Sequence, residues 1–147
     1  MEKLFVARGG VYNAGMDLTG KTALVTGAAR RVGRSIALAL ARAGADVAVH
    51  YHRSAAEAES LAGEIRRLGR RAECFPADLA DPAAIEGLFA ALAKAMPPLL
   101  VLVNNASTYP RAPRETLTAQ QWDAVLAVNA RAPALCIRHA AAIMTEG

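Results

Sequence analysis

A chain of 147 residues is one domain by length. Its 54% apolar and 20% charged residues exclude a disordered chain, and its 35 alanines favour helices packed closely on a sheet. The formal net charge is +4, but the 17 basic residues are scattered without a long run, which argues against nucleic acid as a partner.

Residues 1–15 read as an N-terminal tail with one short apolar patch, Leu4-Phe5-Val6, and no stretch long enough for a signal peptide. Met16 opens a segment that runs straight into the first strand and is an alternative start of translation. Residues 22–26 (Thr-Ala-Leu-Val-Thr) are a partly β-branched apolar run ending at Gly27 and predict strand one. A helix is expected over 33–43, with Ile36, Leu38 and Leu40 among alanines and Gly44 as the stop. Asp46–Tyr51 (Asp-Val-Ala-Val-His-Tyr) predicts strand two. Ser54-Ala-Ala-Glu57 reads as a capping box, opening a helix that aligns Ala58, Leu61, Ile65 and Leu68 and stops at Gly69. Residues 72–75 predict strand three. Asp81-Pro82 pairs an N-cap with proline at the first helical position, and Ile85, Leu88, Phe89 and Leu92 form the inward face of that helix.

Pro97-Pro98 breaks the helix. Leu99–Val103, apolar throughout, reads as strand four covered on both faces. It is also the longest apolar run, far short of the ~18 residues of a membrane span. Thr118-x-x-Gln121 is a second capping box, for a helix through Trp122, Val125, Leu126 and Val128, with Trp122 expected in the packing. Pro133 must kink or restart that helix, whose last part carries Leu135, Ile137 and Ile143 and ends near Met144. Strands alternating with helices make an α/β fold with a parallel sheet and right-handed crossovers. Cys74 and Cys136 fit neither a disulfide framework nor a zinc pattern, so no metal is expected, and a reducing cytoplasm is the expected location.

Strand one runs into Thr26-Gly27-Ala28-Ala29-Arg30-Arg31-Val32-Gly33, directly ahead of a helix. A phosphate needs backbone N–H donors at a helix N-terminus with no side chain in the way. Gly27 permits a tight turn and Gly33 close helix packing. The spacing is not G-x-G-x-x-G, so the glycines alone also fit a plain strand-to-helix turn. Arg30 and Arg31 in the loop suit a diphosphate. About 20 residues on, an acidic residue would hold the ribose 2′-OH of NAD; the chain instead reads His50-Tyr51-His52-Arg53-Ser54. A guanidinium, two imidazoles and a hydroxyl at a helix N-terminus suit the 2′-phosphate of NADP(H). Ser54 can cap the helix from the same position.

Thr26-Gly27-x-x-x-Arg31-x-Gly33, Asp78-Leu79, Asn104-Asn105-Ala106-Ser107 and Val128-Asn129-Ala130 occur in this order with strands between them. Together they resemble the short-chain dehydrogenase/reductase family over residues 18–145. Within that family, residues 28–36 and 50–58 resemble pteridine reductases. As in that branch, Arg31 stands where the usual loop has its middle glycine, and Asn-Asn-Ala-Ser replaces Asn-Asn-Ala-Gly. The resemblance implies a Rossmann-type doubly wound sheet of order 3-2-1-4 that binds NADP(H). The diphosphate would lie on Gly27, Arg30, Arg31, Val32 and Gly33, and the 2′-phosphate by Tyr51, His52, Arg53 and Ser54. Asp78 would accept from the adenine amino group, with the Leu79 backbone beside it, and Asn105 and Ala106 would line the adenine-side ribose. Ser107 would reach the nicotinamide and substrate, and Tyr109 would stack on a flat pterin. Asn129 would bend its helix and hold, through its main chain, a water of a proton relay. Read without the resemblance, Asp78 is a turn residue, the paired asparagines are turn formers and Asn129 is a helix break.

The family's chemistry uses a tyrosine acid with a lysine four residues later, plus a serine on strand five. Tyrosines stand at 11, 51 and 109 only, and none has that lysine. Residues 16–147 are therefore expected to be an incomplete NADP-binding domain that lacks the later strands. The complete protein would be a homo-oligomeric reductase, a dimer or tetramer, acting on a C=N or C=O of a small molecule such as a pterin. The alternatives are a 3-oxoacyl-type reductase and a catalytically inactive NADP-binding or partner-binding module. A truncated copy, a naturally short module and half of a split protein all fit such a chain.

Overall fold

The computed structural model describes residues 6–7, 10–11, 17–109 and 113–144. Four strands, β1 (Thr22–Val25), β2 (Asp46–Tyr51), β3 (Ala72–Pro76) and β4 (Leu99–Val103), form one parallel sheet. Their order is β3-β2-β1-β4, the expected doubly wound arrangement. Helices α1 (Arg31–Arg42), α2 (Ala55–Arg67) and α3 (Pro82–Ala95) follow the first three strands. After β4 come α4 (Ala119–Leu126), a π-helical turn (Ala127–Arg131) and α5 (Ala132–Ile143). Most of the expected tail, and Met16, lie outside the described residues; within the tail, Val6–Ala7 pairs antiparallel with Gly10–Val11.

The two faces of the sheet follow the two-residue alternation of strand side chains. Leu24 and Ala48 face α3 and α5, where Phe75, Ile85, Leu88, Phe89, Leu92, Cys136 and Ala140 complete one core. Val25, Val47 and Val49 face α1 and α2, packing on Ala37, Leu38, Ala41, Ala58, Leu61, Ala62 and Ile65. Fully buried alanines on α1 and α2 leave room for both helices to lie close to the sheet, which is where the alanine-rich composition is used.

Two caps form as the sequence implies. Asp81 Oδ1 accepts from the Ala83 N–H at 2.9 Å, with Pro82 at the first helical position of α3. Thr118 and Gln121 bond reciprocally at the start of α4. Pro133 lies just after the π-helical turn, so the expected break takes the form of a local widening rather than a sharp kink.

Several expectations need correction. The Ser54 capping box does not form: Ser54 precedes α2 but makes no side-chain cap bond, because its hydroxyl accepts from Arg30 instead. Leu68 lies past the end of α2 and is exposed. In β4 only Leu99 is buried and the other four residues are half-buried, since β4 is the edge strand of the described sheet, with β1 on one side and only an isolated parallel bridge from Leu99 to Met144 on the other. No residue of α4 is buried, and Trp122 is 53% and Leu126 42% exposed. α5 buries Ala132, Cys136 and Ala140, spaced one turn apart, while Ile137 is 58% exposed. Small side chains let α5 lie close to α3; Leu135 and Ile143 are partly buried against the same core, and Ile137 is turned outward. Both cysteines are free thiols, pushed up to about 12 at Cys74 and about 11 at Cys136, in each case first by burial. Among the described residues no cluster of three or more His, Cys, Asp or Glu could hold a metal ion.

Candidate functional site

Parallel strands all deliver their connecting turns to one edge of the sheet, and ligands of such folds sit there. The turn after β1 is packed closely against its neighbours. Gly27 takes a φ of +63°, and a Cβ on it would lie 3.0 Å from Ala106 Cα. A Cβ on Gly33 would collide with the Gly27 carbonyl oxygen and come within 2.6 Å of Asn105 Nδ2. Both positions therefore require glycine for close approach. Arg31 takes a φ of 53°, the left-handed region that costs a side-chain-bearing residue ~1–2 kcal/mol.

Arg30 precedes α1 without capping it, and the first turn holds no acidic residue. The N–H groups of that turn, with their partial positive charge, are thus left for an anion. The Arg30 guanidinium reaches across to Ser54 Oγ and stands 3.4 Å from Glu57 Oε1. It joins the glycine turn to the end of β2, the two places expected to share a phosphate-rich ligand. Among the described residues the Arg53 side chain has no hydrogen bond or ion pair, and residues 50–54 contain no carboxylate.

The third turn, after β4, is fastened to the first. Thr26 Oγ1 accepts from the N–H groups of Asn105 and Ala106 at 2.9 and 3.0 Å. Asn105 Nδ2 donates to the carbonyls of Thr26 and Gly27 at 2.8 and 3.2 Å. Asn105 is therefore more than a turn former: its amide holds β4 and the glycine turn together. Asn129 lies in the π-helical turn, and its side chain clamps Thr108, accepting from its N–H at 2.9 Å and donating to its carbonyl at 2.8 Å. Arg131 Nη2, two residues on, donates to the Ala80 carbonyl at 2.6 Å. The π-helical turn thus holds the loops after β3 and β4 at once.

His50 departs most from expectation. It does not present itself to a phosphate. Its side chain is 2% exposed, Nδ1 accepts from the Gly27 N–H at 3.0 Å, and Nε2 stands 3.1 Å from the Ala77 carbonyl. Burial pulls its pKa down to about 4, so the ring is neutral at neutral pH and Nε2 is the protonated nitrogen. His52 Nε2 lies 3.8 Å from Asp78 Oδ2, and Asp78 Oδ1 accepts from the Ala80 N–H at 2.9 Å. Asp78 shapes its own turn while keeping one oxygen toward the open side.

The three turns enclose a cleft of about 790 Å³. Every residue expected at the cofactor lines it: Gly27, Arg30, Arg31, Val32, Gly33, Tyr51, His52, Arg53, Ser54, Asp78, Leu79, Asn105, Ala106 and Ser107. Tyr109, expected over the substrate, is 83% exposed and outside that lining. Asn129 also stands outside the lining and reaches the cleft through Thr108. Sequence reasoning missed Thr26, Thr108 and Arg131, and it gave His50 the wrong partner. The signal for His50 was its place inside β2, after three consecutive buried residues and before half-buried Tyr51.

Comparison with known proteins agrees with this architecture. The short chain dehydrogenase family model matches residues 21–147. A hydroxynaphthalene reductase-like protein of Metarhizium robertsii is 36% identical over 131 residues, which are 89% of this chain and 49% of that protein. A short chain dehydrogenase of Burkholderia cenocepacia, solved in complex with NADP, superposes with a TM-score of 0.84 at 42% identity. That match covers 89% of this chain and 54% of the other. The landomycin C-6 ketoreductase, solved with bound NADP and rabelomycin, gives a TM-score of 0.81 at 41% identity, over 87% of this chain and 55% of its own. The chain thus spans about half the length of the curated relatives it matches. Motif order, sheet order and a family match over most of the residues agree, and the chain belongs to the short-chain dehydrogenase family.

Proposed function

We propose that residues 16–147 form the NADP(H)-binding part of a short-chain reductase that reduces a C=O or C=N of a small, flat substrate. The observation that carries the cofactor is the uncapped N-terminus of α1, in a cleft whose lining also bears Arg53, with no carboxylate among residues 50–54 at the end of β2. The residues present fit the group: glycines at the two places where a Cβ would obstruct, and two guanidinium groups where a 2′-phosphate needs charge. Gly27, Arg31, Val32 and Gly33 would hold the diphosphate, and Arg30, Arg53 and Ser54 the 2′-phosphate, with Tyr51 and His52 beside it. Asp78 and Leu79 would hold the adenine, Asn105 and Ala106 its ribose, and Ser107 would face the nicotinamide and substrate. NADPH supplies the hydride when bound. Asn129 fixes the loop that carries Ser107 and Thr108. The proton would come from a Tyr-x-x-x-Lys pair, which residues 1–147 do not contain.

The relatives' names, hydroxynaphthalene reductase-like and C-6 ketoreductase, favour a fused aromatic ketone as substrate. A pterin is the second reading, supported by the resemblance of residues 28–36 and 50–58 and by Arg31 in the turn. The exposed ring of Tyr109 is available to stack on either. The complete protein is read as a cytoplasmic homo-oligomer; among the described residues no helix is long and apolar enough to cross a membrane.

Fluorescence titration with NADPH and NADH tests the cofactor. A charge-assisted contact contributes ~1.5–3 kcal/mol, so NADPH is expected to bind roughly 10- to 100-fold more tightly. Arg53→Asp should reverse the order. Equal affinity for both would overturn the assignment. Turnover by the full-length protein of a naphthol ketone, a pterin and an acyl thioester then separates the substrate classes.

A further inference from the structure

We propose that His50 is a positioning residue for the cofactor, a bridge that sets the phosphate-binding turn and the adenine-side loop at a fixed separation. This rests on the reading of the cleft as an NADP(H) site. The topology creates the need. β2 lies between β1 and β3, so the turn after β1 and the loop after β3 leave the sheet side by side with a strand between them. Backbone bonds tie each of them to β2 separately: the Ala28 N–H donates to the His50 carbonyl at 2.9 Å, and the Ala77 N–H to the Tyr51 carbonyl at 3.0 Å. The His50 ring joins the two directly, accepting from Gly27 with one nitrogen and donating to Ala77 with the other.

Its two partners are placed to matter. Gly27 begins the turn that leads to the free N–H groups of α1, and Ala77 immediately precedes Asp78. Nδ1 and Nε2 are the only polar atoms of the ring, and both are engaged. His50 therefore acts through the groups it holds rather than by touching a phosphate. Its burial denies water the chance to replace either bond. Separating a hold on the turn from a hold on the loop is possible because shorter and longer amides reach different atoms. An Asn carboxamide oxygen falls near the Nδ1 position and can accept from Gly27. A Gln carboxamide nitrogen falls near Nε2 and can donate to Ala77.

The test uses His50→Asn, His50→Gln and His50→Leu in the full chain, each checked for a cooperative thermal transition. Affinity is measured for NADPH and for two probes, inorganic pyrophosphate and adenosine 2′-monophosphate. The expected result is a tenfold or greater loss of NADPH affinity in His50→Leu. His50→Asn should keep pyrophosphate binding and weaken adenosine 2′-monophosphate, and His50→Gln should do the reverse. The proposal is overturned if folded Asn and Gln variants bind NADPH within twofold of the unaltered protein. It is also overturned if every variant loses both probes in step with its melting temperature, the mark of a merely structural role. Should His50→Leu fail to fold, the Asn and Gln pair still decides. An unaltered protein that binds neither NADPH nor the probes would refute the cofactor reading itself, and the proposal with it.

Discussion

Arg31 places a long side chain where the turn demands a left-handed backbone. Relief of that conformation by Arg31→Gly gains ~1–2 kcal/mol, against roughly 0.5–1 kcal/mol for the added freedom of glycine when unfolded. The variant should therefore melt at the same temperature or a few degrees higher, while binding NADPH more weakly for want of the guanidinium. A calorimetric scan beside a titration checks both. A lower melting point would show that Arg31 has a stabilising contact that outweighs its strain. His50 gives the opposite kind of residue effect. Unfolded, its imidazole returns to the ordinary 6.5; folded, burial holds it at about 4, with the nearby His52 charge pushing the same way. The unfolded chain thus binds more protons between those values. Its contribution to stability is complete above pH 6.5 and is lost as pH falls toward 4, on the order of 3 kcal/mol in all. Protonation would also set an Nδ1–H against the Gly27 N–H, two donors with no acceptor between them. Urea midpoints measured across that range should fall in the unaltered protein and stay flatter in His50→Asn.

Two helix starts that look alike in the sequence behave differently as elements. Asp81 bonds the Ala83 N–H, so Asp81→Ala should cost about 1 kcal/mol through α3. Ser54 makes no such bond, so Ser54→Ala should leave the melting temperature nearly unchanged and weaken NADPH instead. A large melting shift in Ser54→Ala would restore its reading as a cap. The sequence pattern alone cannot separate the two, because the competitor for Ser54 is Arg30, which only the fold brings near. The same limit explains the other misreadings. Strand and helix positions up to Leu99 were legible because β1 and β2 are short runs buried on both faces, and the inner faces of α1 to α3 follow the helical period. β4 is as apolar as a central strand, yet its burial depends on a neighbour beyond itself. In α5 Leu135 and Ile143 pack partly against the core, but the buried stripe is Ala132, Cys136 and Ala140, and Ile137 faces outward. Small residues carry a weak pattern signal even where close packing depends on them.

At the scale of the whole molecule the site was more legible than the surface. Motifs far apart in sequence fall together because every strand of a parallel sheet ends on the same side, so the residues singled out at Gly27, Arg53, Asp78 and Asn105 line one cleft. What joins them, the bonds made by the Thr26 hydroxyl, the His50 ring and the Arg131 guanidinium, depends on three-dimensional distance, which spacing along the chain does not give. The outer surface of α4 and α5 is the larger departure. Trp122, Leu126 and Ile137 are all more than two-fifths exposed, and Trp122 and Leu126 are one helical turn apart. Full burial of a fully exposed apolar side chain is worth ~1.5–3 kcal/mol, so covering these, each about half exposed, gains roughly half of that apiece, still a sizeable part of the ~5–15 kcal/mol that stabilises a typical domain. Self-association through these side chains is therefore expected. Trp122 is the single tryptophan, so its emission reports the event directly. As concentration rises, the emission should shift to the blue in step with the appearance of a larger sedimenting species. Trp122→Tyr would remove the signal and keep the assembly, whereas Leu126→Glu with Ile137→Glu should hold the protein in its smaller form with Trp122 emission at the red, solvent-exposed position. NADPH affinity should be unchanged in that double variant, since neither residue lines the cleft. A protein that stays monomeric at every concentration, with invariant emission, would show that this face does not pair with a second copy.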